Sequence, residues 1–175
     1  MADKAQKIGL GGGCHWCTEA VSQSLLGVSK VQSGWIASTG LHSGESEGVL
    51  VHFDPDQITL ETLIEIHLLT HASGSDHSMR DKYRSAIYTF SDVQALKARL
   101  ILQTLARRHS QTIITQVLPF NAFRAVTDAY KNYYFSAPER PFCVNMIEPK
   151  LKKLVATHRE HVDVTALTAP KRTPE

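Results

Sequence analysis

Apolar residues recur along this chain with two periods, and each change of period marks an element. Lys7–Leu10 is a short run that fits a buried strand. From Cys14 to Leu26 the apolar positions Trp16, Ala20, Val21, Leu25 and Leu26 fall at helical spacing, and Gly27 stops the helix. Val28–Ser38 reads as a strand and Thr39–Ser46 as a loop, and Gly48–Phe53 is a strand closed by the turn Asp54-Pro55-Asp56. Ile58–Ala72 is an amphipathic helix entered through Thr59, with Leu60, Leu63, Ile64 and Leu68 on one face. A polar loop, Ser73–Lys82, leads to a strand over Tyr83–Phe90. Ser91 is the N-cap of a helix running to Arg108, and Gln111–Pro119 is a strand. A helical stretch follows near Ala125–Phe135, Pro138 and Pro141 break the chain, and Ile147–His158 is a last helix.

This order predicts an α+β fold: a mixed β-sheet with helices packed on it, joined as a two-layer ferredoxin-like sandwich. Residues 1–163 are expected to form one domain and residues 164–175 a loose, proline-containing tail. The 175 residues and an apolar fraction of 42% suffice for a core without staples. Net charge is +2 with scattered signs, which gives no electrostatic case for nucleic acid or an anionic membrane. No apolar run approaches the roughly 18 residues of a membrane span, and the first residues lack a signal-peptide core, so a cytoplasmic location is expected.

Two of only three cysteines sit in "GGGCHWCTEA", at a glycine-rich strand-to-helix corner. The glycines permit a tight turn. Cys14 then stands at the start of a helix, where unpaired N–H groups and the helix dipole stabilise an anion, so its thiol is expected to be acidified. Cys17, three residues on, lies on the same helix face, placed to attack an oxidised Cys14 sulfur. Two other readings stand beside this one: buried cysteines acting as small hydrophobes, and half of a zinc site completed by Cys143 and a histidine. A c-type haem site is excluded because Thr18, not histidine, follows Cys17. Lys150–Lys153 reads as a solvated helix face, and the i, i+4 pair His67 and His71 as a coincidence of spacing, not a metal site.

The same stretch resembles the peptide methionine sulfoxide reductases of type A, whose motif is Gly-Cys-Phe-Trp with a glutamate five residues after the Cys, here Glu19. "GVSKVQSGW", "GESEGVLVHFDP", "KYRSAIY" and "FCVNMIEPKLKKL" match further family segments in the same order, over roughly residues 7–155. The resemblance implies thiol-dependent reduction of methionine S-sulfoxide, free or in peptides, with no metal or organic cofactor and with thioredoxin or another dithiol as reductant. It makes Cys14 the nucleophile, Glu47 the acid that protonates the departing oxygen, Tyr83 a hydrogen-bond partner of that oxygen, and Trp16 a wall of the methyl pocket. Cys17 takes the resolving position and Cys143 a possible second one. A carboxyl with this role needs a raised pKa, which burial beside aromatics would supply. The product is a Cys14 sulfenic acid, which Cys17 converts to an intramolecular disulfide.

The match departs at several positions. His15 replaces phenylalanine and turns one wall of the substrate pocket polar, with the Cys14 thiolate as its other potential partner. The loop before Glu47 is short and lacks the second tyrosine of the family. Glu45 stands where the family has histidine, beside Glu47. Ser78 occupies the position of a family aspartate, for which Asp76 is the substitute, and Lys131 and Asn132 replace a His-Gln pair. These changes keep a second expectation open, a non-catalytic paralogue that binds methionine sulfoxide or a partner.

Overall fold

A computed structural model describes residues 5–71, 73–75 and 80–168. The first strand, β1 (Gln6–Gly11), is followed by helix α1 (His15–Gln23), β2 (Val28–Ala37), β3 (Ser46–Phe53), α2 (Leu60–Thr70) and β4 (Ala86–Thr89). The four strands among these elements pair in the order β4-β1-β3-β2, all antiparallel, which is the split βαβ arrangement of a ferredoxin-like core. Helix α3 (Asp92–Arg108) then crosses over to β5 (Gln116–Pro119), which pairs parallel to β4 and makes the sheet mixed.

Alternation along the strands sorts the core into two faces. Ile8, Leu10, Val49, Val51, Phe53 and Ile87 meet the helices through Ala20, Val21, Leu63, Ile64, Ala98 and Leu105. Leu50, Ile36, Ala86 and Tyr88 form a smaller cluster on the other face, covered by Phe90, Leu118, Phe120 and Phe123. Both expected caps form: Thr59 Oγ1 accepts from Thr62 N–H at 3.1 Å and Ser91 Oγ from Gln94 N–H at 3.1 Å.

Several boundaries differ from the sequence expectation, and the larger differences arise because backbone groups find tertiary partners. Helix α1 stops at Gln23 because Ser24 and Leu26 bond to the segment around Val162, with Leu25 bridging Val162 directly. The strand expected from Tyr83 begins at Ala86, since Lys82 and Arg84 bond to the start of β3 instead. Likewise β5 begins at Gln116, because Ile114 N–H is spent on the Ser73 carbonyl. Of the helical stretch expected near Ala125–Phe135 only short pieces form, after an edge strand, β6 (Ala122–Ala125), paired with β2. A short 3-10 turn and the one-turn helix α4 (Tyr133–Ser136) follow, separated by Asn132 in the left-handed region at φ 55°.

A π-helical turn, Cys143–Ile147, leads into α5 (Glu148–His158). Val164–Thr168 forms a short helix, α6, with Leu167 against the core. The expected tail therefore starts with helical residues, and its remainder lies outside the described residues. No helix among the described residues is long and apolar enough to cross a membrane.

Candidate active site

The glycine turn after β1 is clamped from behind. His67 Nε2 donates to the Gly11 carbonyl at 2.8 Å, and Arg80 Nη1 donates to the Gly12 carbonyl at 2.8 Å. Gly12 has φ +150°, and a Cβ there would lie 2.5 Å from the His71 ring, so the turn admits only glycine. His71 Nδ1 in turn bonds the His67 carbonyl, and its Nε2 meets Ser85 Oγ at 2.8 Å. The two histidines are thus buried supports of the turn. Burial pushes the His67 ring down to about 4 and the His71 ring well below its ordinary value, so both are neutral.

The turn delivers Cys14 to the N-cap of α1, half-buried, with the Cys17 and Thr18 amides bonded to its carbonyl. All three cysteines are reduced. The Cys14 thiol is acidified chiefly by a hydrogen bond from Cys17, and then by the Trp16 and Cys17 amides, against opposition from burial and the Glu47 carboxylate. The expected acidification is present, but the neighbouring thiol contributes more to it than the helix start. The Cys17 thiol is pushed up strongly, first because its proton is committed to Cys14 and second because it is buried, at 3% exposure.

Glu47 lies in β3 at 6% exposure and within electrostatic range of Cys14. One oxygen, Oε1, lies 3.0 Å from His15 Nδ1, close enough for an ion pair but off the line of a straight hydrogen bond. The same oxygen accepts a long bond, 3.5 Å, from the His15 amide. Oε2 lies 3.6 Å from Lys82 Nζ. Lys82 is brought there by the Glu47 N–H to Lys82 carbonyl bond at 2.9 Å. Its ammonium is strengthened first by the Tyr83 side chain, whose ring lies 5.1 Å below Nζ, and then by Glu47. Tyr83 therefore joins the cluster through Lys82, a contact that the sequence did not signal. His15, at 4% exposure, sits between the edges of Trp16 and Trp35 and turns to Glu47. Desolvation lowers its pKa, with Glu47 opposing.

Trp16 stacks on Tyr133 with centroids 4.0 Å apart and meets Phe142 edge-on at 5.7 Å. Tyr130 lies over the same ring at 6.1 Å. This aromatic wall is held by Glu19, buried at 2% exposure, which accepts from Ser33 Oγ at 2.7 Å and from Tyr133 N–H at 3.0 Å. Glu45 is committed to Arg124, with its closest contact at 2.7 Å. Asp76, with its neighbours His77 and Ser78, lies outside the described residues.

Cys143 is fully buried in the π-helical turn, near enough to Cys17 to oppose its ionisation, and its own thiol is pushed up by burial. Lys152 and Lys153 are exposed, as expected of a solvated face, but Lys150 is not part of it. Its Nζ donates to the Thr70 carbonyl at 2.7 Å and favours the Cys17 thiolate. Among the described residues no group of three or more His, Cys, Asp or Glu side chains converges as a metal site.

An acidified cysteine at a helix start, bonded to a second thiol and facing a buried carboxyl, defines a thiol-based redox centre on a ferredoxin-like α+β sheet. The chain belongs to the family of peptide methionine sulfoxide reductases, whose sequence profile matches residues 6–163. The peptide methionine sulfoxide reductase MsrA of Deinococcus radiodurans is 35% identical over 161 residues, covering 82% of this chain and 77% of that one. That of Sulfolobus acidocaldarius is 32% identical over 160 residues, covering 83% and 91%. Among solved structures, reduced Mxr1 from Saccharomyces cerevisiae aligns with a TM-score of 0.66 at 21% identity, covering 79% of this chain and 89% of that one. Mxr1 in complex with Trx2 aligns with a TM-score of 0.59 at 21% identity, covering 71% and 82%. These structural likenesses support the fold assignment.

Proposed function

We propose that this protein reduces methionine S-sulfoxide, free or in peptides, with Cys14 as nucleophile. The observation that carries the reading is the Cys14–Cys17 pair, one sulfur acidified and the other holding its proton, beside buried Glu47. The Cys14 thiolate attacks the sulfoxide sulfur, Glu47 supplies a proton to the oxygen, and that oxygen passes to the Cys14 sulfur as the sulfenic hydroxyl while methionine departs. Tyr83, at the rim beside Lys82, steadies that oxygen, and Trp16 with Tyr133 and Phe142 receives the methyl group. The Cys14 sulfenic acid is then captured by Cys17 as a disulfide. Buried Cys143 is a second possible partner for Cys17.

A dithiol resets the enzyme, and the Mxr1–Trx2 complex supports thioredoxin as that dithiol. The electron balance closes with thiols alone, so no metal or organic cofactor takes part.

The test supplies each sulfoxide epimer with dithiothreitol. Methionine is expected from the S epimer alone, the Cys14→Ser variant is expected to form none, and one equivalent of sulfoxide is expected to leave a Cys14–Cys17 disulfide. Binding of sulfoxide without turnover in the unaltered chain would overturn the reading.

A further inference from the structure

The Glu47 carboxyl has a closed side and an open side. Oε1 faces inward, 3.0 Å from Nδ1 of buried His15. Oε2 faces the Lys82 ammonium at 3.6 Å, and the lysine side chain is 58% exposed where that of Glu47 is 8% exposed. A molecule that reaches Glu47 from solvent therefore arrives against Lys82.

The root of Lys82 is fixed and its tip is not. Its carbonyl accepts from the Glu47 N–H and from Ser46 Oγ, both at 2.9 Å, and Ser46 Oγ in turn accepts from the Arg84 N–H at 2.7 Å. The stem runs beside the Tyr83 ring, with Nζ 5.1 Å from its centroid. Among the described residues no other lysine or arginine pairs with Glu47. The arginines of the flanking segments are engaged elsewhere. Arg84 donates to Tyr88 Oη at 3.1 Å and to the Gly44 carbonyl at 2.8 Å, and Arg124 is paired with Glu45.

The spacing between Oε2 and Nζ suits a substrate atom. At 3.6 Å the pair is longer than a hydrogen bond, and an ammonium carries three N–H donors and no acceptor. One oxygen atom at about 2.8 Å from both Oε2 and Nζ spans that gap. A sulfoxide oxygen carries partial negative charge and gains more as its bond to sulfur breaks. In this position it takes the carboxyl proton from one side and an N–H bond from the other. A bystander cation would oppose the reaction, because it favours the carboxylate over the proton-bearing acid.

We propose that Lys82 is a catalytic residue of the reduction, whose ammonium donates a hydrogen bond to the sulfoxide oxygen while Glu47 protonates it. The inference rests on the reductase reading above and adds a charged donor to it. In the step, the bond from methionine sulfur to oxygen breaks and the oxygen becomes bonded to the Cys14 sulfur. Cys14 sulfur loses two electrons and methionine sulfur gains two. Glu47 supplies the proton of the sulfenic hydroxyl and is left as a carboxylate beside Lys82, which keeps all of its own protons.

The experiment measures single-turnover sulfenic-acid formation from methionine S-sulfoxide at neutral pH, on the full chain. Lys82→Met keeps the stem and removes the donors. Its rate at saturating sulfoxide is expected to fall about hundredfold, with the half-saturating concentration within about threefold of the unaltered protein. Its urea midpoint is expected to stay unchanged, because the side chain is largely exposed. Ethylammonium added to Lys82→Ala is expected to raise the rate by about tenfold or more, whereas tetramethylammonium, a cation without N–H groups, is expected to restore none of it. A Lys82→Met rate equal to or above that of the unaltered protein is the outcome for a bystander cation and overturns the inference. Equal restoration by the two added cations, or none by either, also overturns it. In each case the unaltered chain still consumes the S epimer and the reductase reading stands. Failure of the unaltered chain to consume sulfoxide, or equal behaviour of Cys14→Ser, overturns both.

Discussion

Cys17 has to change character during the proposed cycle. In the reduced protein its proton is committed to the Cys14 thiolate, and this raises its pKa more than burial does. Once Cys14 carries oxygen, the thiolate acceptor is gone, and the largest obstacle to ionising Cys17 goes with it. Lys150 is the cation that then favours the second thiolate. Replacing Lys150 with methionine is therefore expected to slow disulfide formation by about threefold or more while leaving the sulfenic-acid step within about twofold. Rapid quenching with a sulfenic-acid trap separates the two steps. That Cys14, Cys17, Glu47 and Trp16 would gather near one corner was expected from the family motifs they match, and the structure brings them together there. The partner of His15 was not legible, because it lies 32 positions away across β2 and β3. Lys150 read as one of a solvated row, and only the crossing of α5 over α2 brings its amine to Thr70.

Among the elements, the glycine turn illustrates how far local pattern reaches. Three glycines announced a tight corner, but not what fills the space behind it. The His71 ring does, and it makes Gly12 irreplaceable on two counts, the φ of +150° and the absence of room for a Cβ. Gly12→Ala is expected to cost about 3 kcal/mol in urea unfolding, from strain and overpacking together. The same variant is expected to slow single-turnover reduction, because the turn sets the start of α1. The histidine pair that read as coincidental spacing is thus a structural support. Strand β2 was legible nearly to the residue, whereas β3 begins two residues earlier than expected, at Ser46 in the expected loop. The short edge strand β6 was not legible, because four residues carry little periodicity and its existence depends on an open edge of β2. The π-helical turn at Cys143 left no signal in the apolar spacing.

For the whole molecule, the order of strands and helices was enough to predict a ferredoxin-like mixed sheet, since connections of this length leave few alternatives. Its stability should carry the mark of the buried histidines. A ring that stays neutral when folded but binds a proton when unfolded draws the chain toward unfolding as pH falls. For His67 that contribution is complete above its ordinary value of 6.5 and is lost progressively down to about 4. The difference corresponds to about 3 kcal/mol, and His71 adds to it in the same direction. Urea midpoints are expected to fall steeply between pH 7 and about pH 4.5. His67→Gln, which keeps a donor for the Gly11 carbonyl, is expected to flatten that fall.

The two sulfurs of the pair differ in depth: Cys14 is half-open to solvent, whereas Cys17 is shut behind it. When the pair is oxidised, a thiol arriving from outside meets only the outer atom. In the proposed cycle the mixed disulfide then forms on Cys14, and Cys17 departs inward as the leaving group, next to Lys150. Regeneration in that cycle has a single direction of approach, with the inner sulfur behind the outer one.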